Sequence, residues 1–168
     1  MNIRIATVAD AALIAEISRE TFVETFAEYN TPRDVELFLT KQFSKEILMA
    51  QVGEKNHVFF LAFENEELAG YIFLKQHADA NTGASSPIEI SRLYARTKFI
   101  GKGIGKSLMQ TAIHHAKSCG NDCIWLGVWE KNLRGIRFYT SFGYEKFGEH
   151  DFLLGEDIQL DWLMRLHL

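Results

Sequence analysis

Ile88-Glu-Ile-Ser-Arg-Leu-Tyr-Ala95, Arg96-Thr-Lys-Phe99 and Ile100-Gly-Lys-Gly-Ile-Gly-Lys-Ser-Leu108 run on from one another and decide how this 168-residue chain is read. They read as a strand, a short turn, a glycine-rich loop and the first turn of a helix. Gly101, Gly103 and Gly105 alternate, so the backbone can approach a ligand with no Cβ in the way. The helix that follows adds unpaired N–H groups and the positive end of a dipole. Together these features make an anion site, most often one for phosphate.

Downstream, Ile104, Leu108, Met109, Ala112, Ile113 and Ala116 keep a helical period to Ser118, and Gly120-Asn121-Asp122 ends the helix. Cys123 to Trp129 is almost wholly apolar, as expected of a central strand buried on both faces. Asn132 to Phe142 reads as another helix, stopped at Gly143. Two strands follow, about Tyr144 to Leu154 and Ile158 to Leu166, around the turn Gly155-Glu156-Asp157.

Upstream, Asn2 to Ala6 alternates like a strand. Thr7 precedes a helix whose buried face carries Leu13, Ile14, Ile17, Phe22 and Phe26. Thr31-Pro32-Arg33-Asp34 has the cap, first-turn proline and acid of a second helix start. Ser44 caps a further short helix ending near Gly53. His57 to Phe63 and Leu68 to Leu74 form a hairpin around Asn65-Glu66-Glu67, and Ala78 to Pro87 is a loop. The order β-α-α-β-β-β-α-β-α-β-β predicts an α/β fold. Its strand–helix–strand units require a parallel pair and its hairpins antiparallel neighbours, in one mixed sheet with helices on both faces.

Hydrophobic residues make up 47% of the chain, enough for one domain, 1–168, with its own core. Lys plus Arg number 18 against 22 Asp plus Glu, so the net charge of −4 speaks against nucleic acid and suits a cationic substrate. Cys119 and Cys123 lack a Cys-x-x-Cys spacing or a disulfide framework, which suits a reducing compartment. No apolar run reaches the about 20 residues that span a bilayer, and the N-terminus has no apolar signal core. A cytoplasmic protein without a membrane partner is expected. His114 and His115 are adjacent, so they point apart on a helix and make no metal pair; no metal is expected.

Two phosphate motifs fail at the glycine loop. A Gly-x-x-x-x-Gly-Lys-Ser/Thr loop ending at Gly105-Lys106-Ser107 needs glycine at position 100, where Ile100 stands. A Gly-x-Gly-x-x-Gly fingerprint starting at Gly101 needs its third glycine where Lys106 stands, and belongs at a first strand. The flanks fit a third pattern. Leu93-Tyr94-Ala95-x4-Ile100-Gly101-Lys102-Gly103-Ile104-Gly105 resembles the acetyl-CoA motif of the GNAT superfamily of N-acetyltransferases. Asn132-x2-Gly135-x2-Phe138-Tyr139-x3-Gly143-Tyr144 resembles its second motif, Asn-x2-Ala-x2-Phe-Tyr-x3-Gly-Phe. The element order is similar too, so the resemblance spans the chain. It departs at Ile100, where the family usually carries Arg or Gln, and at Gly135, where it usually carries Ala. Ile124-Trp-Leu-Gly-Val-Trp-Glu-Lys-Asn132, Gly148-x-His150-x-Phe152-x2-Gly155, Gln159-x-Asp161-x2-Met164 and Glu20-Thr21-Phe22-x2-Thr25-Phe26 look like its PaiA-type subgroup, associated with spermidine and spermine acetylation.

The resemblance implies a GNAT fold, with a mostly antiparallel sheet and a central parallel pair that splays. Acetyl-CoA would be the cosubstrate, lying in the gap. Leu93, Tyr94 and Ala95 would meet its thioester and pantetheine arm. Amides from Lys102 to Lys106 would hold its pyrophosphate, within a loop running from Ile100 and Gly101 through Gly103, Ile104 and Gly105. Asn132 and Tyr139 complete the cofactor set. Tyr139 would donate a proton to the leaving thiolate, and Glu89 would accept one from the amine through water.

Glu16, Glu20, Glu24 and Glu28 recur every fourth residue, so a helix stacks them on one face. Such a row serves a solvated surface or a linear polycation. In the resembled fold this helix borders the acceptor groove, which makes Glu20, Glu24 and Trp129 the substrate candidates, with Glu130 and His150 behind them. The expected activity is direct acetyl transfer to a small-molecule primary amine, spermidine or spermine. The alternatives are a regulatory sensor of acetyl-CoA or polyamine, and transfer to a peptide N-terminus or an aminoglycoside. Trp162, Leu163 and Met164 in the last strand suggest a homodimer paired through the C-terminal strands.

Overall fold

The structure is a computed structural model that describes residues 1–76 and 81–168. Its elements are β1 (Asn2–Ile5), α1 (Ala11–Phe26), α2 (Pro32–Lys41), α3 (Lys45–Ala50), β2 (His57–Glu64), β3 (Glu67–Gln76), β4 (Pro87–Ala95), α4 (Ile104–Ser118), β5 (Cys123–Trp129), α5 (Leu133–Ser141), β6 (Glu145–Leu154) and β7 (Asp157–His167). The order expected from sequence holds, and the short helix expected after Ser44 is α3. Of the loop read over Ala78 to Pro87, 78–80 lie outside the described residues, and Pro87 already opens β4.

Local chemistry explains the boundaries. The Thr31 hydroxyl accepts from the Asp34 N–H at 3.1 Å, with Pro32 at the first position of α2. The Ser44 hydroxyl accepts from the Ile47 N–H and starts α3. The β2–β3 turn is two residues, Asn65 and Glu66, both with positive φ, so Glu67 belongs to β3 rather than to the turn.

The seven strands form one sheet in the order β1-β2-β3-β4-β5-β7-β6, and only β4 and β5 run parallel. One face packs on α4 and α5 through Phe60, Ile72, Leu74, Ile88, Ile90, Ile124, Leu126 and Val128. The other carries Phe59, Leu61, Tyr71 and Phe73 against Ile14 and Ile17 of α1. A third cluster of Phe22, Phe38, Phe43 and Leu48 binds α1, α2 and α3 together. Strand β7 is paired on both sides, by β5 and β6, so it has no free edge for a second chain. For the expected pairing of C-terminal strands between chains, only the β6 edge is open among the described residues.

The register around β4 shapes the centre of the molecule. β4 pairs with β5 only from Pro87↔Cys123 to Ile90↔Leu126. It stays paired with β3 as far as Ala95↔Gly70, while β5 stays paired with β7 as far as Trp129↔Asp161. Past Ile90 and Leu126 the two strands therefore part, each held by its outer neighbour. The β3–β4 register shifts between Phe73 and Leu74, leaving Ser91 as an extra residue at the point of divergence. A bulge bends its strand and adds twist, which accounts for the opening.

Candidate active site

The opening is bounded by 91–95 of β4 and 127–129 of β5. The β4 edge that faces it lacks a strand partner from Ser91 onward. An extended ligand arm can therefore pair with main chain at Leu93, Tyr94 and Ala95. Leu93 and Ala95 pack toward α4, while Tyr94 packs toward α1 with its ring 6.1 Å from Tyr71.

The glycine loop closes one end. A one-turn helix, Thr97–Phe99, with Phe99 buried, leads into it. Gly101 and Gly103 both have φ of 84°, in the left-handed region, and a Cβ at either would meet nothing within 4 Å. The loop is thus open on its outer side and takes a backbone path that other residues resist. Gly103 caps α4 without a side-chain hydrogen bond, and no acid lies in the first turn. Among the described residues, the N–H groups of Gly101, Gly103, Ile104, Gly105 and Lys106 have no internal acceptor, whereas the Lys102 N–H donates to the Phe99 carbonyl at 3.2 Å. The cradle expected from Lys102 to Lys106 is therefore available from Gly101 and from Gly103 to Lys106. Donors converging on a helix start fit a pyrophosphate. Ile100 is 43% exposed and its N–H donates to the Thr97 carbonyl, so closing the loop requires no polar side chain there.

Asn132 caps α5, accepting from the Gly135 N–H at 2.9 Å. A Cβ on Gly135 would lie 2.7 Å from the Asn132 amide nitrogen, so glycine here leaves room for the cap. One turn later, Tyr139 packs against the α4-side core, 5.9 Å ring to ring from Tyr144. Burial pushes its phenol up to about 12, so it stays protonated through the neutral range. Burial also raises Tyr94, and Tyr71, Tyr139 and the Asp161 carboxylate add to that rise.

Glu89 is half-buried in the still-paired part of β4, opposite Trp125 on β5 and Lys75 on β3. It alternates to the face opposite Ile88 and Ile90, so it and Tyr139 approach from different sides of the sheet. Trp129 sits at the far end of β5, its ring 5.5 Å from Tyr29 and 6.2 Å from Phe26.

Glu20 accepts from Arg96 Nε at 3.0 Å and Nη2 at 2.8 Å, and Glu24 accepts from the Thr97 N–H at 3.0 Å. Arg96 also donates to the Leu68 carbonyl at 2.8 Å. The end of β4 thus supplies donors to both carboxylates. They tie α1 to the segment entering the glycine loop. Glu16 and Glu28 remain exposed.

Sequence reading missed the partnership of His150 and Asp161 on neighbouring strands, which stand together beside Gly127. The available signal was an acid in the otherwise apolar run Leu160-Asp161-Trp162-Leu163.

Comparison with known proteins agrees with this geometry. Residues 13–144 match the Acetyltransferase (GNAT) family. An uncharacterized N-acetyltransferase of Lactobacillus delbrueckii subsp. lactis, from the pepI 3' region, is 37% identical over 151 residues, covering 89% of this chain and 87% of that protein. A spermidine N(1)-acetyltransferase of Thermoplasma acidophilum is 28% identical over 149 residues, covering 86% and 88%. The crystal structure of the PaiA N-acetyltransferase from Thermoplasma acidophilum in complex with coenzyme A superposes with a TM-score of 0.80, at 26% identity and full coverage of both chains. The parting of β4 from β5, the open amides at the start of α4 and these likenesses lead to one assignment: the chain belongs to the GNAT acetyltransferase family.

Proposed function

We propose that this acetyltransferase moves an acetyl group directly from acetyl-CoA to a primary amine, with a polyamine of the spermidine type as acceptor. The observation that carries the reading is the opening between β4 and β5, bordered by unpaired main chain at 91–95 and ending on unsatisfied amides at Gly101 and Gly103 to Lys106. The spermidine acetyltransferase relative and the coenzyme A complex of the PaiA enzyme support the choice of substrates. The absence of a helix long and apolar enough to cross a membrane among the described residues fits work in the cytoplasm.

The chemistry takes two protons from the nitrogen and gives one to the sulfur. A primary ammonium with a pKa near ~10.4 is neutral in only about one part in 10³ at pH 7, a barrier of roughly 4–5 kcal/mol unless a base assists. Glu89, half-buried on β4, is a candidate for that base, acting through water. The amine lone pair attacks the thioester carbonyl carbon, the carbon–sulfur bond breaks, the Tyr139 phenol protonates the departing sulfur, and the second proton lost by the nitrogen restores the phenol. The glycine-loop amides and the β4 main chain hold the remainder of the donor in place.

The test is thiol release from acetyl-CoA against spermidine, spermine, peptides with free N-termini and aminoglycosides. Activity strongest with the polyamines is expected. Activity confined to peptides ends the polyamine reading, and none with any amine ends the reading of amine transfer.

A further inference from the structure

Strand β7 lies between β5 and β6, which sets Asp161 opposite Trp129 on one side and His150 on the other. Its carboxylate is largely withdrawn from solvent, with the side chain 17% exposed, while His150 is 50% exposed. Asp161 Oδ2 lies 3.7 Å from His150 Nε2, outside hydrogen-bond range. Both reach to Gly127: a Cβ there would be 3.4 Å from Asp161 Oδ2 and 3.7 Å from His150 Nε2. Gly127 is exposed and is the first β5 residue past the last β4–β5 pair. The pair therefore stands at the mouth of the opening, over the one β5 position that has no side chain to cover it.

Three further features suit an alkylammonium. The aspartate has several acceptor positions, and His150 faces only one of its two oxygens, Oδ2, at 3.7 Å. Burial works against its charge and His150 works for it, so a second cation is welcome there. Trp129, directly opposite Asp161, forms with Phe26 and exposed Tyr29 an aromatic wall that can receive methylenes, and Lys131 Nζ, 5.8 Å from the Trp129 ring centroid, already places a cation over it.

The geometry points to Asp161 as the group that receives the acceptor's ammonium nitrogen, with His150 beside it taking the first proton and passing it to water. This rests on the acetyl-transfer reading above, and it puts His150 rather than Glu89 in the role of first proton acceptor. The ammonium proton moves to His150 Nε2, leaving a neutral amine. The amine forms the new carbon–nitrogen bond as the carbon–sulfur bond breaks. The second proton lost by the nitrogen replaces the one Tyr139 gives to sulfur, and the first leaves through His150. A neutral imidazole has one ring nitrogen free to accept a proton. The titratable groups that bear on Asp161 are His150 from β6 and Tyr94 from β4.

The test compares wild type with Asp161→Asn, His150→Gln, Glu89→Gln and Gly127→Ala in the full chain. Spermidine binding to the coenzyme A-saturated protein is measured by calorimetry, and kcat and KM against pH with acetyl-CoA. Asp161→Asn is expected to raise KM and Kd for spermidine at least about tenfold and leave the Kd of coenzyme A unchanged. Gly127→Ala, which crowds the pair without removing charge, raises KM in the same direction and keeps the test decisive if Asp161→Asn folds poorly. His150→Gln lowers kcat at neutral pH and removes the ascending limb of the pH profile, whereas Glu89→Gln leaves that limb in place. Wild-type amine binding in both Asp161→Asn and Gly127→Ala overturns the assignment, as does an ascending limb lost only in Glu89→Gln. Spermidine binding that depends on Asp161 without thiol release refutes acetyl transfer to spermidine and leaves the ammonium site standing. Absence of spermidine binding in the wild type overturns the site itself.

Discussion

Replacing Tyr139 by phenylalanine is expected to lower kcat at least about tenfold and leave coenzyme A affinity within about twofold, the pattern of a lost transition-state proton donor. The substitution removes one hydroxyl from a ring packed on the α4-side core, and that hydroxyl has no hydrogen-bond partner among the described residues. The fold should therefore lose less than about 1 kcal/mol. Burial holds the phenol at about 12, so it carries its proton throughout the neutral range. Its sign is clear: a phenol raised in this way stays neutral until the pH nears that value, so it sets no descending limb of the rate in the neutral range. Tyr139→Phe should accordingly lower the rate by a similar factor from pH 6 to pH 9 without moving the ascending limb. Steady-state rates over that range check both statements, and an unchanged kcat would remove Tyr139 from the chemistry.

Gly70→Ala should be costly for a reason unrelated to glycine's backbone freedom. Gly70 lies in β3 beside Ala95, and a Cβ there would come within 2.6 Å of the Tyr94 carbonyl oxygen, 2.9 Å of Ile104 Cγ2 and 3.1 Å of Ala95 Cα. Two of those atoms are backbone, so relief requires moving the end of β4 away from β3. That end forms one bank of the opening, and Ile104 is the first residue of α4. Overpacking of this kind costs about 1–3 kcal/mol. Urea unfolding should show that loss, and coenzyme A affinity should fall at least about tenfold because bank and cradle shift together. Wild-type stability and affinity in Gly70→Ala would mean that this contact does not position the site.

Which parts of this arrangement could be read from the chain follows from how local each one is. The glycine loop and the Asn132-to-Tyr144 segment each lie within one short stretch, and their structures follow from neighbouring residues: positive φ at Gly101 and Gly103, and an Asn132 cap on α5. The parting of β4 from β5 came into view only through family resemblance, yet it left a trace in the sequence. Ile88 and Ile90 share a face with Leu93 and Ala95, which breaks strict alternation by one residue and marks the extra residue at Ser91. The partners of Glu20 and Glu24 were not legible. A four-residue period locates the face of α1 but not what packs beside it, and Arg96 and Thr97 lie more than seventy positions along the chain. The meeting of His150 and Asp161 over Gly127 likewise depends on the β6–β7 and β5–β7 registers. Turn chemistry at Gly155 suggests a hairpin without specifying which side chains it sets opposite one another.

The central claim is that the opening and the glycine loop form one donor site. Its most direct test is titration of the isotope-labelled protein with coenzyme A, following backbone amide resonances. The account predicts that the largest shifts fall on Gly101, Gly103, Ile104, Gly105 and Lys106, with a second set at Leu93 to Ala95 and on Gly127. Tight binding that leaves the 101–106 amides unmoved and shifts residues elsewhere would contradict it.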